Sequence, residues 1–212
     1  MSHHVIKVAP RDKARIVNEI AARNGRTLLF VRSRAGAETV AERLVRERLG
    51  AAALHGGMTQ GARNRTLADF KDGLTPVLVA TDVAARGIHV DGIDLVLHVD
   101  PPADHRDYLH RAGRTARAGT SGTVLTLALP HQVAQVRRLM RDAGLDVHGV
   151  AARPGDRVLS EVAGARDPHA HYEELAAEAK ARAAAARSQR ERRFGSRERR
   201  SFDGDRPRRS LS

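Results

Sequence analysis

Residues 76–82 read Pro76-Val77-Leu78-Val79-Ala80-Thr81-Asp82, an unbroken apolar run that stops at a hydroxyl and a carboxylate. The run is too short for an ordinary helix and shows no polar alternation, so it reads as a strand covered on both faces. Similar runs lie on either side. Thr27-Leu28-Leu29-Phe30-Val31 leads into Arg32-Ser33-Arg34, and Leu95-Val96-Leu97-His98-Val99 leads into Asp100-Pro101-Pro102. Ala52-Ala53-Leu54 is a weaker strand ahead of the turn His55-Gly56-Gly57. A weakly alternating strand at 5–9 opens the series, and Thr123–Leu129 reads as its last strand.

Helical patterns fill the gaps. Asp12 opens a helix that carries Ile16, Val17 and Ile20 on one face and stops at Asn24-Gly25. A second runs from about Gly36 to Leu49, with Val40, Leu44, Val45 and Leu49 as its inner stripe and Gly50 as C-cap. Thr59 caps a third, which Leu67 and Phe70 anchor. A fourth starts near Asp104, and Val133–Ala143, closed by Gly144, reads as the last core helix. Strands alternating with helices across short loops predict an α/β fold with a mostly parallel sheet flanked by helices. In such sheets ligands collect at the C-terminal ends of the strands. The polar clusters at 32–34, 55–60 and 81–87 all follow strands, which predicts one composite site.

Past Val150 the apolar pattern fades. The expected organisation is a domain over 1–150, a linker and solvated helical segment over 151–187, and a basic disordered tail over 188–212. The tail reads either as a solubilising appendage or as a nonspecific RNA-binding arm.

The net charge of +12 suggests a polyanionic partner. Aromatic residues make up only 3%, so stacking of bases on rings is a poor model and phosphate contact a better one. Cysteine is absent, which excludes disulfides and thiolate metal sites. The eleven histidines show neither ligand spacing nor an HExxH pattern. No apolar run is long enough to span a bilayer and no signal-peptide pattern is present, so the expectation is a cytoplasmic protein without a membrane partner.

The chemistry concentrates at His110-Arg111-Ala112-Gly113-Arg114-Thr115-Ala116-Arg117-Ala118-Gly119. Arg111, Arg114 and Arg117 recur three residues apart, which on a helix places them on a shared face. Each presents a planar fork of donors that matches phosphate oxygens. The stretch reads as a guanidinium comb able to clamp a polyphosphate, or as a solvated basic helix end.

The stretch resembles motif VI of the DEAD-box RNA helicases of superfamily 2, HRxGRTGRxG, with Ala116 where the family has Gly. Three further blocks follow the same family in order and spacing. Leu28–Ser33 resembles motif IV. His55-Gly56-Gly57-Met58-Thr59-Gln60 with Arg63 resembles the HGD…QxxR block, with Gly57 in place of Asp. Ala80–Ile88 resembles motif V, ATDxxxRGxD, with His89 in place of the final Asp. The resemblance covers roughly residues 5 to 145 and implies a RecA-like domain, the C-terminal motor half of an ATP-dependent enzyme. It implies that Arg114 and Arg117 are arginine fingers on the γ-phosphate and that His110 couples the nucleotide site to the other half. It also implies that Gly87 and His89 border the ATP, and that Gly56, Gly57, Arg63, Thr81 and Arg86 contact RNA phosphate. From the residues alone, Thr81 reads as a loop cap and Arg63 as half of a surface ion pair.

The sequence contains no GxxxxGK[ST] and no DEAD tetrad. The implied cofactor is therefore ATP with Mg²⁺ held by an N-terminal RecA-like domain, supplied in cis or in trans. The alternative is a non-catalytic RNA-binding or regulatory module without a motor partner. In either case the purified chain alone is expected to release phosphate from ATP at background rate, with or without RNA. RNA-stimulated turnover at the rate of a whole helicase would contradict the half-motor reading.

Overall fold

The apolar runs pair side by side in a computed structural model that describes residues 1–86, 90–116, 121–178, 180 and 181. In chain order the strands are β1 (Ser2–Lys7), β2 (Arg26–Phe30), β3 (Ala51–Leu54), β4 (Val77–Ala80), β5 (Ile93–His98), β6 (Thr123–Ala128) and β7 (Val150–Ala151). They form one seven-stranded sheet in the order β3-β4-β2-β5-β6-β1-β7. Every pairing is parallel. The fold is α/β, as the alternation of runs and helices predicts, and RecA-like, as the family resemblance implies.

The helices are α1 (Lys13–Ala21), α2 (Arg34–Arg46), α3 (Gln60–Lys71), α4 (Asp82–Ala85), α5 (His105–Ala112), α6 (Val133–Asp142) and α7 (Arg157–Ala163). Strand side chains alternate between two apolar layers. Leu29, Val79 and Leu97 join Ile16, Ile20 and Leu44 of α1 and α2 on one face. Leu28, Leu78 and Val96 join Phe70, Tyr108 and Val136 of α3, α5 and α6 on the other. Two buried faces explain why the central strands are continuous apolar runs.

Side-chain caps fix several helix starts. Ser33 Oγ accepts from the Gly36 amide at 3.0 Å, and Thr59 Oγ1 from the Ala62 amide at 3.2 Å. Asp104 Oδ1 accepts from the Arg106 and Asp107 amides at 2.8 and 2.9 Å. Each cap satisfies amides that the first helical turn leaves unpaired.

Several local expectations are corrected. The first strand is Ser2–Lys7 rather than 5–9. Val45, expected on the inner stripe of α2, is 54% exposed. Gly50 does not cap α2. Arg48 takes the left-handed position (φ 60°), with the Leu49 amide donating to the Leu44 carbonyl and the Arg48 amide to the Val45 carbonyl. Gly50 instead permits close approach, since a Cβ there would stand 2.9 Å from Pro76 Cδ.

The sheet and core also continue beyond the last expected strand and helix. β7 pairs with β1, and α7 buries Leu159 and Ala163 in the layer that contains α1. The chain separates into a compact unit, Met1–His171, and a second unit starting at Tyr172, which is helical at 172–178, 180 and 181. The tail expected over 188–212 lies outside the described residues.

Leu159 is 1% exposed, so its contribution separates a core helix from a linker. Leu159→Ala is expected to lower the unfolding free energy by about 2–5 kcal/mol, measured by urea titration of the circular dichroism signal. A change within about 0.5 kcal/mol would place α7 outside the cooperative core.

Candidate functional site

The chain passes from β4 to β5 across β2, so the carboxyl ends of these three parallel strands meet where the winding reverses. Each end delivers a different group: the Phe30 ring from β2, the Asp82 carboxylate just after β4, and Asp100 just after β5. Arg111, in the last turn of α5, reaches into this convergence and is 4% exposed. Its Nε donates to Asp82 Oδ1 at 2.6 Å and its Nη2 to Asp82 Oδ2 at 2.7 Å. Its Nη1 donates to the Asp100 carbonyl at 2.9 Å, and its guanidinium carbon lies 4.9 Å from the centre of the Phe30 ring. The fork, the carbonyl and the ring together satisfy a buried cation.

Asp100 is a second junction. Its Oδ1 accepts from Lys13 Nζ at 2.8 Å and its Oδ2 from the Arg32 amide at 3.0 Å. Burial by itself would raise the Asp100 pKa. The Lys13 and Arg32 hydrogen bonds and the charges of both residues outweigh it and hold the carboxyl below its ordinary value. His98 is wholly buried beside this cluster, with its ring edge-on to Phe30 and Tyr108 and its Nδ1 3.0 Å from Thr126 Oγ1. Burial first, then the Arg111 and His3 charges, push its pKa well below the ordinary value, so the imidazole next to Arg111 stays neutral.

The comb expected at 111–117 is therefore not one helix face. α5 ends at Ala112 with Gly113 as its C-cap, and Arg114 lies in the turn beyond it. Arg111 is withdrawn into its pair with Asp82. A cleft of about 210 Å³ opens beside that pair, lined by Asp82, Ala85, Arg86, Asp107, His110 and Arg114 among others. The structure thus brings together His110, Arg114 and Arg86. Gly87, His89 and Arg117 lie outside the described residues.

After Arg114 the chain is pinned again. The buried Thr115 hydroxyl donates to the Ile93 carbonyl. Ala116 adopts a left-handed backbone, φ 56°. A Cβ at Gly122 would stand 2.6 Å from the Ala116 nitrogen, so the two segments touch through backbone. Ala116 thus keeps the conformation that favours the glycine it replaces, with a Cβ in place.

The remaining sequence-read residues gather around the ends of β3 and β4. His55 Nδ1 accepts from the Gly57 amide at 3.2 Å, and its Nε2 lies 3.0 Å from Glu38 Oε1, which assigns the ring proton to Nε2. The Gly57 and Met58 amides are both used inside this turn, leaving Gly56 as the amide without a partner among the described residues. A Cβ at Gly56 would lie 3.5 Å from Arg34 Nη2, so that exposed guanidinium covers the turn. Thr81 is buried at the N-cap of α4, yet its side chain makes no capping bond. Arg63 makes no ion pair either among the described residues. Its Nη2 donates to the Ala84 carbonyl at 2.7 Å and ties α3 to α4. Neither bland reading of these two residues describes them. Sequence reasoning missed the pairing of Asp82 with Arg111 and the junction at Asp100, since no local spacing relates residues 29 and 11 apart.

A family model described as the helicase conserved C-terminal domain matches residues 12–119, about half of the chain. The pre-mRNA-processing ATP-dependent RNA helicase PRP5 of Yarrowia lipolytica is 40% identical over 124 residues, 57% of this chain and 13% of that protein. The ATP-dependent RNA helicase RhlB of Pseudomonas syringae is 41% identical over 130 residues, 60% of this chain and 33% of that protein. The chain thus spans a third or less of the length of these relatives. Among solved structures, Escherichia coli DEAD-box protein SrmB bound to regulator of ribonuclease activity A superposes with a TM-score of 0.64 at 32% identity, over 74% of this chain and 96% of that one. Saccharomyces cerevisiae Dbp5 bound to RNA and ADP BeF3 superposes at 0.69 with 25% identity, over 76% of this chain and 44% of that one.

The left-handed position of Ala116 can be tested directly. A Cβ costs about 1–2 kcal/mol there, more than the roughly 0.5–1 kcal/mol of extra entropy that glycine loses on folding. Ala116→Gly is therefore expected to raise the unfolding free energy by up to about 1 kcal/mol in urea titration. A lowered midpoint would show that Ala116 is not held at positive φ in solution.

Proposed function

The chain belongs to the helicase conserved C-terminal domain family, in its DEAD-box branch, and from that premise we propose that it acts as the second motor half of an ATP-dependent RNA helicase. The observation that carries this reading is the cleft beside the Arg111–Asp82 pair, with His110, Arg114 and Arg86 on its walls. In this reading the pair is scaffold and Arg114 is the working cation. Arg111 spends its fork on Asp82 and the Asp100 carbonyl, which fixes the end of α5 and so the starting point of the turn bearing Arg114.

A polyphosphate suits the cleft because its walls offer planar guanidinium forks that match phosphate oxygens. ATP supplies the phosphoryl group whose transfer builds negative charge on the γ-phosphate. Arg114, with Arg117, stabilises that charge, and His110, exposed in the last turn of α5, faces the N-terminal RecA-like partner supplied in cis or in trans. Gly87 and His89 border the nucleotide. In this reading Mg²⁺ belongs with the partner half.

RNA lies along the carboxyl edge over the turn at Gly56 and Gly57, with Arg63, Thr81 and Arg86 directed at phosphates. An amide, a guanidinium and a hydroxyl position the backbone without reading base sequence. Among the described residues the Gly56 amide and the Thr81 hydroxyl have no hydrogen-bond partner, which supports this, and exposed Arg34 extends the basic surface.

The test links this chain to a matching N-terminal helicase domain and follows RNA-stimulated ATP hydrolysis. Arg114→Ala and Arg117→Ala are each expected to cut kcat by about 10³ or more, with RNA affinity little changed, because the interaction forms late on the reaction path. Arg63→Ala is expected mainly to raise the RNA concentration needed for half-maximal stimulation. An unaltered kcat in Arg114→Ala, in an otherwise active linked protein, would overturn the arginine-finger role.

A further inference from the structure

A second concavity lies away from the carboxyl edge, between α6 and the segment that follows it. Gly144 turns the chain at φ 72°, and the Leu145 amide donates to the Met140 carbonyl at 2.9 Å, which starts residues 145–149 back alongside the helix. The segment alternates. Leu145, Val147 and Gly149 are half-buried, whereas Asp146 and His148 are exposed. Beneath it a Cβ at Gly149 would lie 3.2 Å from Val5 Cγ1, so the segment rests against β1. The result is a groove of about 330 Å³. Val5, Val136 and Met140 give it an apolar floor, and Leu145 and Val147 an apolar wall.

The rim is cationic. Lys7, Arg137 and Arg141 line the groove, and none of the three has a carboxylate partner among the described residues. The neighbouring Arg138 is paired with Asp142 at 3.6 Å, and the one acid of the groove, Asp146, lies 3.7 Å from His148. Three cations with no carboxylate partner among the described residues, set around an aliphatic floor, call for a ligand that is both anionic and apolar. RNA meets only half of that requirement, because no Phe, Tyr or Trp lines the groove and exposed His148 is the one ring there that could stack a base. An acidic peptide with aliphatic side chains meets both halves.

We propose that this groove docks an acidic segment of a partner protein, which inserts one or two aliphatic side chains over Val136 and Met140 and sets carboxylates against Lys7, Arg137 and Arg141. The inference is independent of the chemistry at the carboxyl edge. It makes this domain a landing site for other proteins on a surface separate from the cleft that holds Arg114.

The test is fluorescence anisotropy of the full chain with a labelled peptide of about ten residues that alternates Glu with Leu. A matched peptide carries Ser in place of Leu. The Leu peptide is expected to bind saturably and at least tenfold more tightly than the Ser peptide. This comparison uses the unaltered chain, so it does not depend on how any variant folds. Binding through the arginine-rich tail would not distinguish the two peptides. Arg137→Glu with Arg141→Glu is expected to weaken the Leu peptide at least tenfold and to leave the melting curve in place, since both side chains are exposed. Equal affinity for the two peptides, no saturable binding, or an unaffected double variant would overturn the proposal. So would displacement of the peptide by oligouridylate through the same two arginines, which would make the groove an RNA site.

Discussion

Arg111 carries a guanidinium that folding has taken out of water. Withdrawing such a cation costs several kcal/mol, and the cost is met only where every donor finds a partner in good geometry. Here the partners arrive from three strands at once: a carboxylate after β4, a carbonyl after β5 and a ring face at the end of β2. None of these elements can shift by an ångström without exposing part of the debt. The neutrality of His98 belongs to the same constraint, because a second charge next to a buried guanidinium would undo it. The cleft beside the pair inherits this rigidity.

Asp100 extends the constraint through the sheet. Its carboxylate binds Lys13 at the start of α1, on one face, while its carbonyl holds Arg111 of α5, on the other. One residue at the end of the central β5 thus couples the two helical layers, and the Arg32 amide adds the β2–α2 connection. The family's motif blocks are far apart in sequence, yet here they are bound to each other by hydrogen bonds rather than merely lying side by side.

The features legible in the sequence were those decided locally. Leu28–Phe30, Val77–Ala80 and Leu95–Leu97 announce themselves because strands buried on both faces must be continuously apolar. Thr59 and Asp104 mark helix starts because a short oxygen-bearing side chain before a helix has few other uses. What failed was decided at a distance or by a single φ. The spacing of Arg111, Arg114 and Arg117 continues past the point where α5 stops, and sequence periodicity does not reveal that Gly113 ends the helix. Arg48 took the left-handed position that Gly50 was better suited to fill, because Gly50 was needed against Pro76. α7 was invisible because Leu159 and Ala163 make too sparse a stripe to stand out from a polar segment. Of the site, the residues came from the sequence and the family resemblance, while the withdrawal of Arg111 into its pair with Asp82 needed the third dimension.

The position of β1 bears on how the chain is made. This strand lies between β6 and β7, and its first residue registers with Thr123. A ribosome delivers β1 before β2 to β5 and its two neighbours after them, on the order of ten seconds behind β1 at usual elongation rates. For that interval β2 to β5 can assemble around their own helices, while Ser2–Lys7 waits with both edges unpaired and Val5 and Ile6 uncovered. Newly made chains therefore pass through a stage in which one short apolar ribbon is open to any passing strand. Holdase chaperones that grip extended apolar segments are suited to that interval, and its length is set by the order of the strands rather than by their stability.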